Sequence, residues 1–147
     1  MQSDRELAEE LNTRLREMVL MMRRVNADQA VTSQQASVLG SLEGGPRRMT
    51  ELAAEHGVKL PTMTALVNRL ERDGLVVRGR DASDARVVTA GITPEGCVQL
   101  HRVRERRIGI LVQRFAELSE QERRTLTAAL PLLGRLFADP DRPAPAA

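Results

Sequence analysis

The chain has 147 residues and a formal net charge of +2, room for one domain with a real core but a weak electrostatic case for a polyanionic partner. With two Phe, no Trp and no Tyr, its core volume must come from Leu, Val, Ile, Met and Ala, which suits helices packed on helices better than a β-sandwich. The single cysteine, Cys97, excludes an intramolecular disulfide and a cysteine-built zinc site within one chain, and no apolar run approaches the ~18 residues needed to span a membrane.

The N-terminus, MQSDRELAEEL, carries charge where a secretory leader needs an apolar stretch, so a soluble, cytoplasmic chain is expected. Ser3 and Glu6 then have capping-box spacing, in which each side chain satisfies a free amide of the helix start. Behind them Leu7, Leu11, Leu15, Met18, Met22 and Val25 recur every three or four residues, which predicts a helix over about 4–26. Thr32 and Gln35 repeat the box and open a helix over about 33–42, ended by the breaker EGGPRR. Two short helices follow, about 50–55 and 60–73, separated by a turn at Gly57.

Leu75–Arg80 reads as a strand, Asp81–Ala85 as a turn, and Arg86–Thr93 as the returning strand. Thr93-Pro94-Glu95 starts a long helix to about Leu118, with proline in the first turn, where its missing N–H does no harm. Its apolar residues include Leu100, Val103, Ile108, Leu111, Val112 and Phe115. Ser119 and Glu122 box the last helix, about 120–137, which carries Leu126, Leu130, Leu133 and Phe137. The tail ADPDRPAPAA has the composition of a disordered end. The fold class is therefore mainly α with a small β-hairpin. The stripes at the two ends exceed what the small middle can cover, which points to a second copy of the chain.

The two short helices have helix-turn-helix spacing, followed directly by a hairpin, as in a winged helix. On the second helix Met63, Leu66, Val67 and Leu70 form an apolar face. The opposite face carries Pro61, Ala65, Asn68, Arg69 and Arg72, with Thr62 and Thr64 at its edges. Such residues suit a major groove: Asn pairs with adenine, Arg with guanine or phosphate, Thr or Ala with a thymine methyl. They would equally make an ordinary solvated face. Lys59 and Leu60 supply no capping oxygen, and Lys59 sets a cation at the positive end of the helix dipole, an arrangement that favours a docked phosphate.

In the hairpin Arg78, Arg80 and Arg86 can follow phosphates, and one can enter the minor groove. Asp84 fits there as a carboxylate that holds an arginine, or as a turn residue like Asp81. Lys59 is the only lysine among 22 basic residues; arginine's fork suits phosphate and guanine, although a GC-rich genome would give the same bias.

These stretches resemble the MarR-type (multiple-antibiotic-resistance regulator) family. VTSQQASVL is similar to its second-helix entry, MTELAAEHGVKLPTMTALVNRLERDGLVVR to its helix-turn-helix, and DASDARVVTAGITPEG to its wing, across residues 5–137. The resemblance implies a homodimer, with residues 1–30 and 94–138 as dimerisation helices, 31–93 as the winged helix-turn-helix that binds double-stranded DNA, and 139–147 as a disordered tail. It further implies a repressor on a pseudo-palindromic operator, with Thr62, Thr64, Asn68 and Arg69 facing the major groove and Arg86, steadied by Asp84, in the minor groove. Ala65 stands where relatives often have arginine, and Lys59 where they often have a capping serine.

Family members often bind small aromatic acids or lipophilic compounds between the dimerisation helices and the winged helix, and Met18, Met21 and Met22 would line an adaptable pocket or simply fill core or a dimer contact. Relatives that sense peroxide usually keep their cysteine in the first helix; Cys97 lies in the first turn of a later one and is expected to be buried and inert. No cofactor, metal or membrane partner is expected. His56 and His101, the only histidines, show no readable acid–nucleophile arrangement, so an enzyme is not expected and His56 reads as packed at a helix edge. The alternative to a DNA reader is a winged helix used for protein interaction alone.

Overall fold

A computed structural model describes residues 1–139. The elements in order are α1 (Asp4–Val25), α2 (Ser33–Ser41), β1 (Arg47–Arg48), α3 (Met49–Glu55), α4 (Leu60–Arg72), β2 (Val76–Arg80), β3 (Val88–Ile92), α5 (Pro94–Phe115) and α6 (Glu120–Phe137). The tail expected to be disordered lies outside the described residues but for Asp139. The chain divides into two compact units, residues 1–107 and residues 108 onward, with the boundary inside α5.

All three capping boxes form: Ser3 with Glu6, Thr32 with Gln35 and Ser119 with Glu122 each exchange both hydrogen bonds. Asn26 Nδ2 donates to Ser33 Oγ, which donates in turn to the Met22 carbonyl, tying the end of α1 to the start of α2. The core of the first unit gathers Val38, Leu39 and Leu42 of the α2 segment, Leu52 of α3, and Met63, Val67 and Leu70 of α4. Leu100 and Val103 of α5, which follow the hairpin in sequence, complete it.

α3 and α4 meet through a turn at Gly57, whose φ of 62° is left-handed and open to glycine at no steric cost. Gly74, at φ 74°, ends α4 in the same way, and the Leu75 N–H donates back to the Leu70 carbonyl. The chain is thereby turned into β2.

The sheet has three strands, not two. β3 is central, pairing antiparallel with β2 from Val76↔Ile92 to Arg80↔Val88 and with β1 at Arg47↔Ala90 and Arg48↔Thr89. β1 occupies part of the segment read as a breaker, because two residues carry no periodicity and only pairing with distant β3 makes them a strand. The returning strand also starts later than expected. Arg86 lies in the turn: the Asp81 N–H donates to the Val87 carbonyl at 2.9 Å, and the chain turns again where the Val87 N–H donates to the Asp84 carbonyl at 3.0 Å. α5 stops at Phe115 rather than Leu118.

At the base of the hairpin Thr93 joins three elements. Its Oγ1 donates to the Gly74 carbonyl at 2.7 Å and accepts from the Gly96 N–H at 3.1 Å, while its own N–H donates to the Leu75 carbonyl. Gly96 sits so close to this junction that a Cβ there would lie 2.2 Å from the Leu75 carbonyl oxygen.

Along α1 the apolar stripe is covered only at its end: Val25 is buried, Leu11, Leu15 and Met22 are half-buried, and Leu7 and Met18 are exposed. In the second unit Ile108, Val112, Leu130, Leu136 and Phe137 are all exposed, and α6 has no buried residue.

Candidate nucleic-acid interface

α4 presents the face that its sequence spacing gives. Met63, Val67 and Leu70 are sealed in the core and Leu66 packs against it. Pro61, Thr62, Ala65, Asn68, Arg69 and Arg72 are exposed, and Thr64 is half-buried. Lys59 is the N-cap residue and makes no side-chain cap, as expected, with Pro61 in the first turn. Arg69, Arg72, Arg80 and Lys59 make no ion pair among the described residues, so their charge is open to a ligand.

Arg78 is placed differently from its expected role along phosphates. It is half-buried, its Nη2 donates to Asn68 Oδ1, and its N–H donates to Glu71 Oε2 at 3.2 Å. A strand arginine thus braces the exposed face of α4. With its carbonyl oxygen taken, Asn68 is left with amide hydrogens to donate, which match purine acceptors in a major groove better than a bidentate pair with adenine.

The hairpin tip carries a dense set of hydrogen bonds. Asp84 accepts from Arg86 Nε at 3.1 Å and from Nη2 at 3.2 Å, a two-pronged fork, and also from the Arg86 N–H at 3.0 Å. The arginine side chain is nonetheless 90% exposed. Hydrogen bonds from Arg86 hold the Asp84 carboxyl below the usual carboxylate range.

Asp81 is more than a turn residue. Arg48 Nε and Nη2 donate to its two carboxylate oxygens at 3.0 Å each, across 33 residues of chain. Asp81 Oδ2 also accepts from the Ser83 and Asp84 N–H groups. The Arg48 guanidinium, then Ser83, pull the Asp81 carboxyl far below its ordinary pKa. Neither Arg48 nor this pairing was readable in the sequence, because the partner lies in a strand too short to see.

Away from this face, Ser41 Oγ donates to Glu55 Oε1 at 2.9 Å and lies 2.9 Å from His56 Nε2, joining the ends of α2 and α3. Glu55 is also bridged by Arg47 at 3.0 Å. His56 is half-buried at the helix edge, as read. Cys97 is exposed, which corrects the expectation of a buried thiol: it takes the solvent side of the first turn of α5, while Gly96 beside it takes the buried side. A cavity of about 820 Å³ lies beside α1 and α2, lined among others by Met18, Met22, Asn26, His56 and Arg107. Met21, the third methionine expected there, is half-buried.

A MarR family model matches residues 31–87, the stretch from the start of α2 to the tip of the hairpin. A putative transcriptional regulator from Pseudomonas aeruginosa is 33% identical in sequence and superposes with a TM-score of 0.80, the match covering 95% of this chain and 99% of that one. The chain belongs to the MarR family. A MarR family protein from Bacillus stearothermophilus is 27% identical, with a TM-score of 0.77 over 95% of this chain and all of its own. The HTH-type transcriptional repressor MdtR of Bacillus subtilis is 33% identical over 95 residues, which span 64% of this chain and 61% of that repressor. This chain is therefore a transcriptional regulator of the MarR family with a winged helix, in which α4 is the second helix of the helix-turn-helix and the hairpin is the wing. MarR-family members are regulators, not enzymes. No helix among the described residues is long and apolar enough to cross a membrane.

Proposed function

We propose that this MarR-family regulator is a cytoplasmic homodimeric repressor that reads a pseudo-palindromic operator. α4 lies in the major groove, where Thr62, Thr64, Asn68 and Arg69 face bases and Lys59, Pro61 and Arg72 lie near phosphates. On the wing Arg80 follows the backbone, Arg78 acts through Asn68, and Arg86, held by Asp84, enters the minor groove. The observation that carries the reading is the tip of the wing: an arginine 90% exposed yet fixed by a carboxylate fork at 3.1 and 3.2 Å. A free surface arginine gains little from such order, whereas one that must enter a narrow groove loses less rotamer entropy on docking.

Residues 1–30 and 94–138 form the dimer in this reading, supported by the exposed apolar residues of α1, the second half of α5 and α6. Residues 31–93 read the DNA. A small lipophilic or aromatic effector releases it from the cavity beside α1. There Asn26 Oδ1 and Arg107 Nε are buried without a hydrogen-bond partner among the described residues, and burial, then the Arg104 charge, lowers the Arg107 pKa.

The test is selection of bound sequences from a random duplex pool, followed by titration of the winner and a scrambled duplex at several salt concentrations. Specific binding to a two-fold site is expected, and Arg86→Ala should weaken it and flatten the salt dependence by about one released counterion. Equal affinity for both duplexes would overturn the reading in favour of a protein-interaction role.

A further inference from the structure

The wing tip is held from outside the wing. Arg48 belongs to β1, ahead of α3, and its backbone is registered against Thr89 of β3. From there its guanidinium reaches the tip, with Nε and Nη2 on the two oxygens of Asp81 at 3.0 Å and Nη2 also donating to Ser83 Oγ at 3.2 Å. Asp81 in turn accepts from the Ser83 N–H at 3.0 Å and the Asp84 N–H at 3.2 Å. The second of these bonds fixes the backbone of the very residue whose carboxylate holds Arg86. A continuous line of charge-assisted bonds therefore runs Arg48–Asp81–Asp84–Arg86.

The body of the wing does not need this line. It has a five-pair ladder between β2 and β3, anchored by buried Leu75, Val76 and Ala90. Beyond the backbone pairing of β1 with β3, the Arg48 guanidinium bonds to the tip, at Asp81 and Ser83. An unpaired Asp81 could still make its own turn, but it would leave a loosely held carboxylate facing DNA phosphates. The fork removes both problems, since it orders the turn and matches the charge.

We propose that Arg48 is a positioning residue for DNA readout, clamping Asp81 so that the turn presents the Asp84–Arg86 pair, without contacting DNA itself. The assignment rests on the reading that Arg86 contacts the operator. It makes the start of α3 part of the wing's function, although it lies outside both the wing and α4.

Operator titrations on Arg48→Ala, Arg48→Lys, Arg86→Ala and the Arg48→Ala/Arg86→Ala pair test it, with Asp81→Asn as a second way to open the clamp. Arg48→Ala and Asp81→Asn should each weaken binding about 3–10-fold, the entropy of one freed arginine. Once Arg86 is gone, Arg48→Ala should cost nothing further. Arg48→Lys should behave like Arg48→Ala, since an ammonium keeps the charge but cannot form the fork.

Full rescue by lysine, or strictly additive losses, would mean that Arg48 meets phosphate directly and would overturn the assignment. Normal binding by Arg48→Ala beside weak binding by Arg86→Ala would overturn it alone. Normal binding by Arg86→Ala would overturn the reading of the wing and the assignment with it. Amide exchange without DNA gives an independent readout. The Ser83 and Asp84 amides should exchange faster in Arg48→Ala, while those of β3 stay protected; unchanged exchange at the tip would overturn the clamp whatever the DNA result.

Discussion

Gly96→Ala is expected to destabilise the fold, against the usual sign of that substitution in a helix. Glycine costs a helix up to about 1 kcal/mol relative to alanine, so an open site would gain stability. Gly96 is not open: its Cβ would lie 2.2 Å from the Leu75 carbonyl oxygen and 2.8 Å from Ile92 Cγ1. Reaching even 3.0 Å needs a shift of roughly 0.8 Å by backbone rather than by a flexible side chain. That same carbonyl accepts from the Thr93 N–H at 3.0 Å, so the shift strains the junction between the wing and α5. Overpacking costs about 1–3 kcal/mol and a weakened hydrogen bond about 0.5–1.5 kcal/mol, which leaves a net loss of roughly 0.5–3.5 kcal/mol after a helix gain of about 1 kcal/mol. Urea unfolding at fixed protein concentration measures it, with a midpoint lowered by about 1 M. Gly40→Ala is the control, because its Cβ would meet only the end of the Arg104 side chain at 3.5 Å and should be neutral or stabilising. A Gly96→Ala midpoint at or above that of the unmodified protein would refute the close packing.

Alanine at Asn68 or Arg69 should each cost about 1–3 kcal/mol on the selected operator and far less on random DNA, measured by fluorescence anisotropy. Equal losses on both would assign them to backbone contacts. Truncation after Leu118 should abolish the dimer or bring aggregation in sedimentation, and a well-folded truncated dimer would exclude α6 from the interface. The depressed pKa of Asp81 makes a folded-state contribution that is present above the ordinary carboxylate pKa and lost as pH falls through the lower folded value. Relative to Asp81→Asn, the unmodified protein should therefore lose its advantage only below about pH 4, and an advantage that vanished near neutrality would count against the Arg48 fork.

What the sequence made legible is what local chemistry specifies. A capping box needs two side chains three residues apart, and each of the three formed where it was read. The apolar face of α4 likewise follows from spacing alone, and Met63, Val67 and Leu70 are fully buried on it. Residues joined across long stretches were not legible. β1 exists only because β3 lies beside it, and Arg48 finds Asp81 only through that pairing. Arg78 looked like one more basic residue along a strand, yet the packing of β2 against α4 places it on Asn68. Asp84 with Arg86 was readable as a pair because only one residue separates them, although the strand assigned to Arg86 began too early. Cys97 illustrates a third limit: a position in a first turn does not say which side of the helix faces the core.

The Thr93 junction also bears on how such a protein can change over time. It closes the chain from Gly74 to Thr93 into a loop fixed at its base, through one hydroxyl and one amide, before α5 begins. Closure entropy grows only logarithmically with loop length, so that doubling the segment would cost about 0.6 kcal/mol. Insertions or deletions at the tip can therefore alter the reach of the hairpin while the helices at its root stay in register. The wing is in this sense a replaceable part, whose length and tip sequence can drift without refolding the domain that carries it.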